Sequence, residues 1–136
     1  MRKSLLALFT FLIFTAQSFS EPYLHNNSLV DLQEEGAGVT IIYTQPRPGL
    51  VEVGVQNGTI LFNGAVNRRT GFLSGVAYIY GGECGNFPYT VSGYYNDASV
   101  LRLHGSAPIV NHRSCRVIGY KSFGPNATLE FFRVDH

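Results

Sequence analysis

Residues 59–80, TILFNGAVNRRTGFLSGVAYIY, decide the fold class. Two runs rich in Ile, Leu, Phe, Val and Tyr flank the polar segment Asn67-Arg68-Arg69-Thr70-Gly71. Such runs are short for helices, their residues favour a pleated surface, and the segment between them has turn chemistry. The stretch reads as an antiparallel hairpin, residues 59–66 against 72–80.

The same grammar extends in both directions. Upstream, residues 39–44 (VTIIYT) form a β-branched run that Pro46 and Pro48 stop. Residues 50–55 alternate Val51, Val53 and Val55 against Glu52 and Gly54, which predicts a half-buried strand, and Asn57-Gly58 predicts a two-residue hairpin turn. Downstream, residues 81–85 (GGECG) read as a loop. Strands are expected at 88–95, 99–104, 116–122 and 128–134, with turns at Asn96-Asp97 and Gly124-Pro125-Asn126 and a loop over 108–114. No window keeps a 3.6-residue period over eleven positions. The expectation is one all-β antiparallel domain over residues 38–136, about eight strands built from hairpins, closing as a small barrel or packing as a sandwich. Residues 21–37 are polar and aperiodic and read as a flexible N-terminal arm. A faint repeat sets Gly64 and Gly75 against Gly93 and Gly105, glycines that would lie where strands bend or backbones approach closely.

The first twenty residues read as an export signal. Arg2 and Lys3 give a positive start, residues 5–14 (LLALFTFLIF) an apolar run, and Ser18-Phe19-Ser20 a small-x-small cleavage site before Glu21. The run is too short to span a bilayer, and no later segment is apolar enough to anchor the chain. A periplasmic or secreted protein is expected. Cleavage removes 20 of 136 residues and leaves 116, one ordinary domain, with eight Lys and Arg against nine Asp and Glu. With 45% hydrophobic and 14% charged residues, the chain is neither a disordered tail nor a polycationic nucleic-acid arm.

Cys84 and Cys115 are the only cysteines, and in an oxidising compartment an even pair reads as a disulfide. Asn26, Asn57 and Asn126 head N-x-Ser/Thr sequons, which carry glycans only in a eukaryotic secretory route.

Reactive constellations are scarce. No G-x-S-x-G elbow occurs, and the adjacent pair Glu34-Glu35 falls in the expected arm. Asp97, His104 and His112 form a metal or acid/base cluster only if topology gathers them. No catalytic residue, metal or cofactor is expected. Exposed anchors are more evident: Arg47 sits between two prolines, and Arg68 and Arg69 lie at a hairpin tip, positions that suit carboxylate or phosphate. Tyr94 and Tyr95 end one strand, while Tyr78 and Tyr80 share a face of its neighbour, aromatic area of the kind used for sugars and peptides.

The pattern Tyr43-x-x-Pro46-Arg47-Pro48-Gly49-Leu50, Gly58-Thr59-x-Leu61-Phe62-x-Gly64, Ser74-Gly75-x-Ala77-Tyr78, Cys84-Gly85, Pro88-Tyr89-x-Val91-Ser92-Gly93, Leu103-x-Gly105-x-Ala107-Pro108 and Cys115-Arg116-Val117 resembles a group of uncharacterised exported all-β domains of α-proteobacterial type. The resemblance covers about two thirds of the chain. It implies a bacterial periplasmic or secreted setting and brings no catalytic residues.

The leading expectation is an exported non-catalytic domain that binds a protein, peptide or envelope glycan through a loop end carrying Arg47, Arg68 and Arg69, or through the face of Tyr78, Tyr80, Tyr94 and Tyr95. No nucleic acid and no membrane span are expected. The alternatives are an envelope-polymer hydrolase using Asp97 or Glu83 with His104, and a barrel enclosing a small apolar ligand.

Overall fold

The computed structural model describes residues 7–13, 18–95 and 99–135. Among the described residues ten strands follow in order: β1 (Ser18–His25), β2 (Ser28–Glu35), β3 (Gly38–Gln45), β4 (Ile60–Val66), β5 (Phe72–Tyr80), β6 (Asn86–Tyr94), β7 (Val100–His104), β8 (Ala107–Asn111), β9 (Arg116–Lys121) and β10 (Thr128–Arg133). One short helix, α1 (Pro48–Glu52), lies between β3 and β4, and a 3-10 turn (Gly82–Cys84) between β5 and β6. Eight strands close into an antiparallel barrel in the order β1-β10-β7-β6-β5-β4-β3-β2. Of the two architectures open from sequence, the barrel is the one formed. Strands β8 and β9 stand outside it as a two-stranded ribbon.

Alternation decides which side chains go inward. Tyr23 from β1, Val30 and Leu32 from β2, Val39, Ile41 and Tyr43 from β3, Leu73 and Ala77 from β5, Val91 from β6, Leu101 and Leu103 from β7, and Leu129 and Phe131 from β10 are all buried with Phe62 from β4. Each large side chain so removed from water contributes roughly 1.5–3 kcal/mol. These side chains pack inside the barrel as one core cluster. Register shifts between Leu29 and Val30 and between Ile41 and Ile42 mark bulges, which add the bend that closure needs.

The expected flexible arm is instead the β1–β2 hairpin, paired along its length from Ser18 with Glu35 to His25 with Ser28. Its turn residues Asn26 and Asn27 have φ of 45° and 63°, the left-handed pair that a two-residue hairpin requires and that Asn tolerates. The alternation is present in sequence but disguised, because His25, Ser28 and Glu34 occupy inward positions beside Val30 and Leu32.

Three further expectations are corrected. Residues 50–55 do not form a strand: Pro48 opens α1, Val51 is exposed, and Leu50 and Val53 pack on the core with Val55 fully buried. With a helix intervening, Asn57-Gly58 is no two-residue hairpin turn but the re-entry to the sheet, where the Gly58 amide donates to the Tyr43 carbonyl at 2.8 Å. The expected 108–114 loop begins as strand β8, which tolerates Pro108 because the ribbon has only one partner per strand. Cys84 and Cys115 form a disulfide, with Cα atoms 5.0 Å apart, tying the β8–β9 connection to the 3-10 turn.

Candidate binding pocket at one end of the barrel

The antiparallel order gives the barrel two ends with different residents. One end carries the β2–β3 turn at Gly36, the 67–71 turn and Tyr95. The other carries Asn26 and Asn27, the segment from Pro46 through α1 to Gly58, and the 3-10 turn. Arg47 therefore lies at the opposite end from Arg68 and Arg69, and the three do not form one gripping surface. The tyrosines divide in the same way. In the β5–β6 register Tyr78 faces Pro88 and Tyr80 faces Asn86, while Tyr94 faces Phe72 at the far end, where their rings meet edge to face at 5.6 Å. Tyr95 follows it there, its amide donating to the Gly71 carbonyl at 2.7 Å.

Arg68 is engaged within the fold. It donates to the Gly36 carbonyl at 2.7 Å and pairs with the mostly buried Glu34 carboxylate at 3.3 Å. Arg69 is exposed. A wide, shallow groove of about 710 Å³ lies at this end, with Ser18, Phe19 and Ser20, the last residues of the expected leader, supplying part of its wall.

At the other end His25, Asn26, Tyr43, Arg47, Tyr80 and Tyr89 line a pocket of about 170 Å³ together with Tyr78, Asn126 and four aliphatic side chains. Its parts are held from several strands. The Arg47 amide donates to the buried Ser28 hydroxyl at 2.9 Å, which pins the loop of two prolines against β2. Tyr89 donates to the Asn126 carbonyl at 2.6 Å, and Tyr80 donates to the Ile60 carbonyl. His25 stacks on Phe131 with ring centroids 4.6 Å apart. Its Nδ1 lies 2.9 Å from the Glu130 carbonyl oxygen, which can only accept, so Nδ1 carries the proton. Burial lowers the imidazole pKa below its ordinary value; the Glu130 carbonyl opposes that shift and the Arg47 charge adds to it. The ring is neutral at pH 7, and Nε2 is an acceptor without a protein partner among the described residues.

Tyr43 is 4% exposed, and its hydroxyl likewise has no hydrogen-bond partner among the described residues. Burial raises its pKa, with neighbouring Tyr80 adding to the rise, and burial pushes Tyr89 up to about 12. Both phenols stay protonated and able to donate. The pocket thus combines an acceptor, a phenol without a protein partner among the described residues, a cation and aromatic walls. Arg47, Tyr78 and Tyr80 of the expected site meet here, joined by His25, Tyr43 and Tyr89, which sequence alone does not single out as site residues. Tyr43 was legible as the third inward residue after Val39 and Ile41; His25 carried no signal of its own.

Glu83 and His104 are both exposed and neither lines the pocket, His104 being 2.8 Å from the Thr128 hydroxyl, and Asp97 lies outside the described residues. Among the described residues no group of His, Cys, Asp and Glu is arranged to hold a metal ion. The three sequon asparagines are exposed. No helix among the described residues is long and apolar enough to cross a membrane. Comparison with protein-family models, with characterised proteins and with solved structures finds no match to the chain.

Proposed function

We propose that the protein is an exported, non-catalytic binding domain that holds an envelope glycan at the pocket formed by His25, Tyr43, Arg47, Tyr78, Tyr80 and Tyr89. One observation carries the reading: Tyr43 and the neutral His25 line the same pocket, and neither the Tyr43 hydroxyl nor His25 Nε2 has a hydrogen-bond partner among the described residues. Sugar hydroxyls, which both donate and accept, suit a pocket that offers a phenol and an imidazole acceptor. The tyrosine rings offer the apolar faces that pyranose rings stack on, and Arg47 at the rim suits a carboxylate on the same polymer. The pocket is smaller than the 300–1,000 Å³ typical of drug-sized ligands, so it admits one unit of a chain whose remainder lies across the rim. A peptide is the second partner class, for the same groups bind a carboxylate terminus.

Export rests on the positive start, the apolar run and the small-x-small end of the leader. Residues 7–13 support it, since their large apolar side chains are exposed and belong to no helix or strand. Removal through Ser20 costs β1 only three exposed residues and leaves its buried Tyr23 and His25 in place. The disulfide fits an oxidising compartment.

The test is calorimetric titration of the mature protein with a panel of neutral and uronic-acid-containing oligosaccharides, set beside the Tyr43→Phe variant. A ligand should bind and lose about tenfold in affinity with Tyr43→Phe, the measure of one hydrogen bond to a buried group. Absence of binding across the panel, or equal affinity of the variant, rejects the pocket as a glycan site.

A further inference from the structure

The β8–β9 ribbon has no role in closing the barrel, yet it is firmly held. Ala107 and Pro108 are buried at its base, and the Cys84–Cys115 bridge fixes its connection, with Cys84 Sγ 3.4 Å from the His112 carbonyl oxygen. A lone two-stranded hairpin is marginal in water, so these anchors are what keep it ordered. Its surface is unusual in two respects. Ile118, Tyr120 and Phe123 are 66%, 68% and 70% exposed, with Ile109 and Val117 partly so. In addition, residues 105–127 contain Arg113, Arg116 and Lys121 and not one acid, while residues 21–104 and 128–136 contain five basic residues against nine acidic. The charge is polarised, +3 on the ribbon segment against −4 elsewhere.

We infer that the ribbon is a docking element that seats the protein on an anionic phospholipid surface. The two observations select this partner together. Three cations without a compensating acid call for an anionic surface, and the acidic barrel is repelled by the same surface, so the ribbon is the part that makes contact. A polyanionic glycan would leave Ile118, Val117 and Phe123 in water, whereas the boundary between headgroups and acyl chains takes apolar side chains and phosphates in adjacent layers. Lys121 Nζ lies 4.8 Å from the centre of the Phe123 ring, which pairs a cation and an aromatic as an interface favours. The contact is interfacial and needs no spanning segment. It rests on the ribbon alone and is independent of the pocket.

The experiment is co-sedimentation of the mature, oxidised protein with vesicles of phosphatidylglycerol and phosphatidylcholine in equal parts, against vesicles of phosphatidylcholine alone, at ~0.1 M salt. The protein should partition to the anionic vesicles at least tenfold more strongly and be released as salt shortens the screening length. The triple variant Arg113→Gln, Arg116→Gln, Lys121→Gln should lower partitioning about a hundredfold, at roughly fivefold per basic residue. Ile118→Ser with Phe123→Ser should lower it about tenfold. All five positions are exposed, and an unchanged melting temperature checks that the variants fold. The chain has no Trp, so Phe123→Trp supplies a single reporter whose emission should shift to the blue on anionic vesicles. No partitioning, partitioning that the triple variant retains, or a bound Phe123→Trp with water-like emission each overturns the proposal. Ribbon-dependent self-association without vesicle binding also overturns it and makes a second copy the occupant.

Discussion

Gly64 and Gly75 face each other across β4 and β5 so closely that a β-carbon on Gly75 would lie 2.5 Å from the Gly64 Cα and 2.3 Å from the Asn63 carbonyl oxygen. Gly93 against the Arg102 carbonyl and Gly105 against the Thr90 carbonyl repeat this closeness where β6 and β7 meet. The obstructing atoms are backbone, so an added methyl cannot be met by a rotamer change. Gly75→Ala should cost about 3 kcal/mol or more and lower the melting temperature by at least ~10 °C. Gly119→Ala is the control, since its nearest neighbour is the Ile109 Cδ1 at 3.8 Å, an ordinary contact. Equal melting of the two variants would show that the barrel wall relaxes more freely than this geometry allows.

The neutral His25 makes stability depend on pH with a definite sign. Its folded pKa lies below the unfolded value of 6.5, so between the two the unfolded chain binds the extra proton. The contribution is complete above pH 6.5, declines as pH falls through 6.5, and stops declining below the folded pKa. His25→Phe loses the Glu130 contact and is less stable at pH 7.5, yet lacks this decline. Urea denaturation from pH 7.5 to 5 should therefore bring wild type and variant closer together; a constant gap would mean that the imidazole charges in place.

Two phenols in the same pocket should answer differently to loss of their hydroxyls. Tyr89→Phe removes a 2.6 Å bond to the Asn126 carbonyl and should cost about 1 kcal/mol. Tyr43→Phe removes a hydroxyl without a partner among the described residues and should leave the melting temperature unchanged or raised. Chemical denaturation of both variants decides the matter, and a Tyr43→Phe protein weaker than Tyr89→Phe would contradict the geometry.

Arg68 and Arg69 adjoin in sequence, but their roles in stability differ. Arg68→Ala strips Glu34 and the Gly36 carbonyl of a partner and should cost about 1–2 kcal/mol, the exposed side of the pair keeping the loss moderate. Arg69→Ala keeps the amide bond to the Asn67 side chain and should stay within ~0.5 kcal/mol. Urea midpoints measure both, and comparable losses would place Arg69 in a contact of its own.

Strands whose inward residues are apolar could be read from sequence: Val39 and Ile41, Leu73 and Ala77, Leu101 and Leu103 announce their period directly. The β1–β2 hairpin could not, because inward Glu34 finds its partner in Arg68, more than thirty residues on, and His25 finds its own in Glu130. A period of two broken by polar residues becomes visible only with their partners in place. Alternating Val51, Val53 and Val55 misled for the opposite reason: a short helix capping the barrel end buries Val55 and exposes Val51 without needing a longer period. At the pocket, Arg47 and Tyr80 stood out as residue types, but barrel closure brings them to His25, and no local pattern encodes that neighbourhood.

The first strand of the barrel finds one of its two neighbours in the last, and the His25–Glu130 bond spans 105 residues of chain. A polypeptide that emerges from its N-terminus therefore carries β1 with one side unpaired until nearly all of it has been made. Contacts of this sequence separation are slow to form, because the loop entropy is lost before the pairing compensates. A barrel open at this seam would carry two unpaired strand edges, and unpaired edges invite aggregation. The final strand is thus the one that closes the ring, and a truncation that removes β10 reopens both edges at once.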